Sequence, residues 1–249
     1  MDITAYLKRI QYNKKIEVTK KVLWELQKTH LLSVPFENLD IHNKQEIRLD
    51  LATIFDKIVL RKRGGFCYEL NGLFCQLLKT IGFDAKMISG RVATPDGNYG
   101  AEYDHLAIVV RIEQLDYLVD VGFGHFSLAP LEIQVGVPIV DDLGMFQFDL
   151  YQKEYLRINS LEKEQLVAQY IFKLQARTLA EFEEMCWFHQ KSEASHFTQK
   201  KVISILGPNG RITLNDNLLK ITSGDRVEEI KFESEKFPTL LKTYFNITL

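Results

Sequence analysis

The sequence lacks the features that mark several large classes of protein. No apolar run approaches the roughly 20 residues that a membrane helix requires. The N-terminus carries early charges and has no apolar stretch followed by a small-residue cleavage site, so we expect neither a secretory signal nor a membrane partner. Neither a C-x-x-C pair nor a G-x-x-x-x-G-K-[ST] loop occurs, which argues against a structural zinc site and a Walker-type phosphate site.

An excess of one charge sign is also missing. The 31 Lys and Arg residues nearly balance the 33 Asp and Glu residues, which leaves a formal net charge of -2. A chain this close to neutral has no electrostatic reason to bind nucleic acid or an anionic surface. We therefore expect no nucleic acid partner.

Cysteine is scarce. The chain contains three cysteines, Cys67, Cys75 and Cys186. An odd and sparse set argues against a disulfide framework and suits a reducing compartment, so we expect a cytoplasmic protein.

Apolar residues are plentiful enough for a sizeable core, since 46% of the 249 residues are hydrophobic. The hydrophobic periodicity divides the chain into three parts. Helix patterns dominate residues 1–84, strand patterns dominate 85–190, and a small mixed segment covers 191–249. This order predicts an α+β protein.

The helix signals of the first part are N-caps and a C-cap. Asp2, Thr19 and Asp50 are placed to cap three helices, the third of which is predicted to continue until the glycines at 64 and 65. A fourth helix, rich in Leu and Phe, is predicted to end at Gly82. Further along, residues 178–181 resemble a capping box that opens a helix through Trp187.

The strand signals begin after Gly82. The segments A-K-M-I-S-G-R-V-A, H-L-A-I-V-V-R-I and Y-L-V-D-V-G-F predict three strands, and shorter strands are predicted within 131–140 and 144–150. Together they predict a barrel or a strongly curled sheet. In the tail, G-P-N-G at 207–210 and S-G-D at 223–225 predict hairpin turns, and Pro238 is suited to the first turn of a final helix.

Cys67 is a candidate nucleophile because it lies at a predicted helix start. Unpaired backbone N–H groups and the helix dipole favour a thiolate there. The preceding Gly64 and Gly65 let a substrate carbonyl approach, and nearby N–H groups could bind its oxyanion. The alternative is that Cys67 is a small buried apolar residue beside a turn, which is the interpretation we give to Cys75 and Cys186.

A nucleophilic thiol needs a base and a group that orients it, and His105 and Asp120 are the candidates. His105 begins an apolar strand, and Asp120 lies within the next strand pattern, where an unpaired carboxylate would be costly. If Glu113 and Gln114 form a two-residue hairpin turn, residue 107 faces 120, so His105 and Asp120 share a face as diagonal neighbours. The alternatives are an acid satisfied by backbone donors and a solvent-exposed histidine.

The other histidines are weaker candidates. His30 is expected to cap a helix end, and His42 and His189 are expected to be exposed. His125 and His196 could line a cleft, but neither has an obvious acidic partner. No pair shows metal-ligand spacing on a helix, so we expect no metal site.

Five segments in the same order resemble the arylamine N-acetyltransferase family. They are P-F-E-N-L at 35–39, R-G-G-F-C-Y-E-L-N-G at 63–72, D-H-L-A-I-V-V at 104–110, D-V-G-F-G at 120–124 and, more weakly, S-H-F-T at 195–198. The resemblance therefore covers the whole chain. It implies a helical bundle, a β-barrel and an α/β lid with a papain-like catalytic core.

The resemblance also implies an activity and roles for particular residues. Cys67, His105 and Asp120 would form the catalytic triad of an acetyl-CoA-dependent acyltransferase of xenobiotic metabolism. An acetyl group would pass through the cysteine to an arylamine or arylhydrazine, with no metal. The implied ligand contacts are Phe36, Phe123 and Phe197 for the amine, and Gly122 and Gly124 for the CoA arm.

Two other functions remain open from the sequence. A papain-like or transglutaminase-like thiol hydrolase would use the same three side chains on an amide. A non-catalytic CoA or small-molecule binding module would not need the thiol. The three phenylalanines could equally be core residues, and the two glycines could serve only a turn. Three charged residues near the site, Glu37, Arg63 and Glu69, are predicted to form structural pairs.

Overall fold

The fold begins with short helices wrapped around one long buried helix. The computed structural model describes residues 1–207, 210–224 and 226–249. Its N-terminal elements are α1 (Ile3–Arg9), α2 (Lys20–Ser33), β1 (Phe36–Glu37), α3 (Leu39–His42), α4 (Leu51–Phe55), a π-helical turn (Asp56–Leu60) and α5 (Cys67–Ile81). The predicted N-caps are confirmed, since the side chains of Asp2, Thr19 and Asp50 accept hydrogen bonds from backbone N–H groups of the first turns.

Helix α5 passes through the interior of the protein. Eleven of its 15 residues are buried, so it is buried on several sides and not along a single stripe. It ends as predicted at Gly82, whose φ of 112° places it in the left-handed region that favours glycine.

The helix predicted to run from Asp50 to the glycines is shorter than expected. Helix α4 ends at Phe55, and the π-helical turn that follows ends at Leu60. This turn carries Lys57, whose side chain is 5% exposed and pairs with a buried carboxylate. A 3.6-residue pattern cannot distinguish such a turn from a regular α-helix.

The middle of the chain forms an antiparallel sheet of eight strands that curls into a nearly closed barrel. Its order is β5-β4-β3-β2-β9-β8-β7-β6. The strands are β2 (Asp84–Val92), β3 (His105–Ile112), β4 (Leu115–Val119), β5 (Leu131–Glu132), β6 (Pro138–Asp141), β7 (Gly144–Tyr151), β8 (Tyr155–Glu162) and β9 (Gln165–Phe172). Strands β8 and β9 are not among the strands predicted from the sequence.

The strand β3 is buried on both faces. Ile108 and Val110 belong to the core shared with α5, whereas Ala107 and Val109 belong to the core enclosed by the barrel. This explains why the segment reads as a continuous apolar run. His105, the first residue of β3, is therefore held in a fixed position.

The last part of the chain combines short helices with a second sheet. Its elements are a 3₁₀ turn (Leu179–Phe182), α6 (Glu183–Lys191), α7 (His196–Gln199), β10 (Val202–Gly207), β11 (Gly210–Asn215), β12 (Leu218–Ser223), β13 (Arg226–Lys231), a second 3₁₀ turn (Ser234–Lys236) and α8 (Phe237–Phe245). The helix predicted to end at Trp187 continues to Lys191. The G-P-N-G and S-G-D turns fall partly on Pro208, Asn209 and Asp225, which lie outside the described residues.

The second sheet joins the two ends of the chain. Its order is β1-β10-β11-β12-β13, and Phe36 of β1 pairs with Ser204 of β10. The segment after α2 is thereby fixed to the C-terminal part. The boundaries at residues 84 and 190 stay a prediction.

In the described part of the chain, no helix is both long enough and apolar enough to cross a bilayer.

Candidate active site

The three residues predicted to carry chemistry lie in contact with one another. Cys67 is the first residue of α5 and is 3% exposed. Its thiol lies beside the His105 ring, in the same cavity wall, and contributes to the raised pKa of that imidazole. On the other side of that ring, His105 Nε2 donates to Asp120 Oδ2 at 2.6 Å. The thiol of Cys67, the imidazole of His105 and the carboxylate of Asp120 therefore form one continuous chain of contacts.

The hairpin of β3 and β4 places His105 beside Asp120. Ile112 pairs with Leu115, so Glu113 and Gln114 form the predicted two-residue turn, and both have a positive φ. The predicted register is confirmed, and with it the shared face of the two side chains. His105 is buried, which rules out the solvent-exposed alternative.

Asp120 does not lie within a strand, contrary to the prediction. Strand β4 ends at Val119, and Asp120 begins the loop that contains D-V-G-F-G. The chain leaves the sheet there because Asp120 Oδ1 accepts the Gly122 N–H at 2.9 Å, a local turn in place of a ladder bond.

Four donors hold the carboxylate of Asp120. Besides His105 and the Gly122 N–H, Asn71 Nδ2 donates to Oδ1 at 2.8 Å and the Tyr170 hydroxyl donates to Oδ2 at 3.0 Å. A buried carboxylate needs such donors because burial otherwise disfavours its charge. Asn71 and Tyr170 are site residues that the sequence patterns did not predict. Asn71 could have been found, since it lies one helical turn after Cys67.

Asn71 also joins α5 to the loop. Its Nδ2 donates to the Leu106 carbonyl at 2.6 Å, and its Oδ1 accepts the Val121 N–H at 2.8 Å. One buried amide thus connects the helix that carries Cys67 with the strand after His105 and the loop after Asp120. This arrangement fixes the relative positions of the three candidate residues.

The pKa of His105 reflects these neighbours. Burial alone would lower it, but the charge and hydrogen bond of Asp120, together with the contact to Cys67, raise the pKa from 6.5 to about 10. His105 therefore holds a proton at neutral pH. A protonated imidazole beside a sulfur favours the thiolate form of cysteine.

Gly122 allows the loop to pack directly on the helix start. A Cβ at this position would lie 2.7 Å from Cys67 Cα and 2.8 Å from Asn71 Nδ2, closer than real contacts allow. Gly124 has a φ of 96° and its carbonyl accepts a hydrogen bond from Arg211 at 2.9 Å. The first glycine is required by close approach and the second is suited to a left-handed turn.

A cavity of about 570 Å³ opens onto Cys67 and His105. The three phenylalanines predicted to bind an amine, Phe36, Phe123 and Phe197, all line it. The Phe123 ring meets the His105 ring edge to face with centroids 5.0 Å apart, and the Phe36 and Phe197 rings are 6.1 Å apart. Aromatic walls of this kind suit a flat apolar ligand.

An ion-pair network supports the helix start. It consists of Glu37, Asp40, Lys57, Arg63 and Glu69. Lys57 Nζ lies 2.9 Å from Glu69, and the same carboxylate accepts the Phe66 N–H at 3.2 Å. The prediction that Glu37, Arg63 and Glu69 form structural pairs is confirmed.

Two histidines are buried, contrary to prediction. His30 is fully buried and its Nδ1 lies 3.1 Å from the Tyr6 hydroxyl, so it does not cap carbonyls. His189 is 3% exposed and lines the cavity. His196 lines it as well, whereas His125 is exposed. In the described residues, no group of three His, Cys, Asp or Glu side chains is placed to hold a metal ion.

Comparison with known proteins identifies the family to which this chain belongs. A family model described as N-acetyltransferase matches residues 19–249. Arylamine N-acetyltransferase 2 of Mus musculus is 34% identical, with 100% of this chain and 95% of that protein covered. The chain belongs to the arylamine N-acetyltransferase family.

Solved structures agree with this assignment. The Mycobacterium marinum arylamine N-acetyltransferase, solved in complex with CoA, has a TM-score of 0.90 at 30% identity, with 99% of this chain and 93% of that chain covered. A Bacillus cereus arylamine N-acetyltransferase described as having a Cys-His-Glu triad has a TM-score of 0.92 at 25% identity, with both chains covered completely. The predicted fold, with its papain-like core, is confirmed.

Proposed function

We propose that this protein transfers the acetyl group of acetyl-CoA to the nitrogen of an arylamine or arylhydrazine by a ping-pong mechanism. The observation that carries the proposal is the line of contacts from Cys67 through His105 to Asp120 beside an aromatic cavity. Family membership supports it, as does the Mycobacterium marinum relative with CoA bound.

In the first half-reaction, Cys67 Sγ attacks the thioester carbonyl of acetyl-CoA. The N–H groups that begin α5 lack helical partners and can donate to the oxyanion that develops. The carbon–sulfur bond to CoA then breaks, and the CoA sulfur takes the proton that His105 holds. The products are acetyl-Cys67, neutral His105 and free CoA.

In the second half-reaction, the amine nitrogen attacks the carbonyl of acetyl-Cys67. His105, now neutral, removes a proton from that nitrogen, and the bond between the carbonyl carbon and Sγ breaks. The arylamide leaves, and Cys67 returns as a thiolate beside a protonated His105. The same imidazole thus donates a proton in one half and accepts one in the other.

Asp120 keeps the imidazole in position through both halves. Because a carboxylate can only accept, Nε2 of His105 must carry the proton in their 2.6 Å contact, which leaves Nδ1 for the sulfur. Asp120 also stabilises the charged imidazole. Its four donors hold the carboxylate in place, so it orients the ring without taking up the proton itself.

Phe36, Phe123 and Phe197 are proposed to hold the aromatic amine. Their rings line the cavity next to Cys67 and His105. Stacking on these rings would place the nitrogen near the acetyl group, and their apolar surface would keep water away from the acetyl-enzyme. Transfer to an amine would then prevail over hydrolysis.

Gly122 and Gly124 are proposed to make room for the arm of CoA that carries the thioester. Gly122 lines the cavity next to Cys67, and it presents no side chain to an incoming ligand. Gly124 follows Phe123 in the same loop. A side chain at either position would narrow the approach to the sulfur or strain the loop.

We also propose that the protein acts in the cytoplasm. All three cysteines are free thiols in the structure, and Cys75 and Cys186 are buried in two different helices, α5 and α6. A chain that keeps a reactive thiol suits a reducing compartment. In such a compartment, acetylation of aromatic amines would serve xenobiotic metabolism.

Intact-protein mass spectrometry tests the proposal. Mixing the protein with acetyl-CoA should give a single acetyl adduct, and an aromatic amine added afterwards should discharge it as the arylamide. The adduct should be absent from Cys67→Ala and present in the matched control Cys75→Ala, because Cys75 lies in the core behind the site. Absence of any adduct in the wild-type protein would overturn the proposal and favour a thiol hydrolase acting on amides.

A further inference from the structure

Polar side chains line the cavity in addition to the aromatic rings and the reacting residues. They are Thr94, Asp104, His189, Ser195 and His196. None of them takes part in the acyl-transfer steps described above. Polar groups in a mostly apolar cavity are usually the groups that select a ligand.

The carboxylate of Asp104 has unused capacity to accept hydrogen bonds. Its side chain is 19% exposed. Oδ2 accepts the Val92 N–H over a long 3.4 Å, and Oδ1 lies 3.2 Å from His189 Nε2. An ionised carboxylate offers about four acceptor sites, so these two contacts leave room for a ligand donor.

His189 is the second group that points to a ligand. Its side chain is 3% exposed, and its Nδ1 lies 3.0 Å from Ser195 Oγ. Its buried Nε2 has no hydrogen-bond partner, because Asp104 Oδ1 is near but out of line with the ring N–H. A buried polar atom without a partner is rare in native proteins and calls for an explanation.

The described residues of the cavity lining supply no Lys or Arg to balance the charge of Asp104, and the protonated ring of His105 is paired with Asp120. Among the described residues that line the cavity, Asp104 is the one carboxylate. Partial burial of the ring lowers the pKa of His196, and the neighbouring His189 lowers it further. Lys200 lies near His196 but is exposed, where water and salt screen its charge.

We propose that Asp104 and His189 select acceptors that carry a cationic or hydrogen-bond-donating substituent on the ring, and that they disfavour ring carboxylates. This inference rests on the proposed function, because it concerns the second substrate of that reaction. A donor on the ring would complete the contacts of Asp104. A ring carboxylate would meet a like charge in a partly buried cavity.

The test compares three acceptors that differ only in charge. They are para-aminobenzyltrimethylammonium, para-aminophenylacetamide and para-aminophenylacetate, in which a methylene group separates the substituent from the ring and keeps the amines similar in basicity. The enzyme is first acetylated and then desalted to remove CoA. The rate of loss of the acetyl adduct therefore reports on the acceptor alone.

We expect the cation to discharge the enzyme fastest and the anion slowest, with a ratio of about ten-fold or more, since a charge pair a few ångströms apart near a protein surface is worth at least that. All three acceptors are assayed at one pH, so that the charge of His105 is the same for each of them. Equal rates for the cation and the anion would overturn the inference.

Two variants assign the effect to this residue. Asp104→Asn keeps the shape and should reduce the cation-to-anion ratio to near one, with the neutral amide as internal reference. Asp142→Asn removes the same charge from an exposed turn and should leave the ratio unchanged. An unchanged ratio in Asp104→Asn would overturn the assignment. If Asp104→Asn fails to fold, the wild-type series alone still decides.

The outcomes separate this inference from the proposed function. If acetyl-CoA leaves no adduct on the wild-type enzyme, the proposed function fails before the acceptors are tested. If the adduct forms and all three acceptors discharge it equally, acetyl transfer stands and the selection by Asp104 and His189 is wrong.

Discussion

Replacing Asn71 with alanine should weaken both the fold and the catalysis, because one buried amide serves three partners. It donates to Asp120 and to the Leu106 carbonyl, and it accepts the Val121 N–H. Alanine removes all three contacts. Asn71 is fully buried, so water cannot replace the three lost hydrogen bonds.

The expected loss in the free energy of unfolding depends on the buried polar groups that lose their hydrogen-bond partner. A buried polar group that loses its partner costs about 1–3 kcal/mol, and more when the group is charged. Asp120 Oδ1 keeps the Gly122 N–H, which moderates the loss at the carboxylate. Across the three partners we expect a decrease in the free energy of unfolding of about 3–5 kcal/mol. A typical domain would remain folded after such a loss but would have little stability in reserve.

Urea unfolding of Asn71→Ala and the rate of acetylation of its Cys67 by acetyl-CoA are the two measurements. The control is Gln76→Ala on the same helix, since Gln76 donates only to Thr80 one turn further on. The control should lose less than about 1 kcal/mol and acetylate at the wild-type rate. An Asn71→Ala variant that behaves like the control would refute the positioning role of this amide.

Three further predictions follow from the charges and contacts around the site. The folded-state pKa of His105 is raised from 6.5 to about 10, so its contribution to the free energy of unfolding is complete below pH 6.5 and is lost as the pH rises toward 10. His105→Gln should flatten this decrease in the free energy of unfolding between pH 6.5 and pH 10. An equally steep decrease in the variant would contradict the prediction. Lys57→Met should cost about 3–5 kcal/mol because it leaves the buried Glu69 unpaired; a loss below about 1 kcal/mol in urea would contradict this. Gly122→Ala should slow acetylation of Cys67 and lower the melting temperature, because its Cβ would displace the loop from the helix start. An unchanged acetylation rate would count against it.

Local signals in the sequence were enough to predict the hairpin that positions the base. A two-residue turn and two apolar strands fix the register, and the register places His105 and Asp120 on one face. The cap at Gly82 likewise fixed the end of α5. These features depend on neighbours in the chain, which a single sequence displays directly.

The rest of the site depends on contacts between distant parts of the chain. Tyr170 reaches Asp120 from β9, a strand whose pattern the sequence interpretation did not recognise. In α6, burial does not follow the polarity of the side chains, since Trp187 is 63% exposed and His189, which was predicted to be exposed, is buried. Burial of a polar ring follows from its tertiary partners, here Ser195 and Asp104, and no helical periodicity predicts them.

The central claim is that sulfur, imidazole and carboxylate act together. The most direct test is to map the acetyl group by peptide digestion after a short exposure to acetyl-CoA, in the wild-type protein and in His105→Gln and Asp120→Ala variants shown to be folded by circular dichroism. The account predicts acetyl on Cys67 in the wild-type protein and almost none in either variant. Acetylation of Cys67 at the wild-type rate in His105→Gln would contradict it.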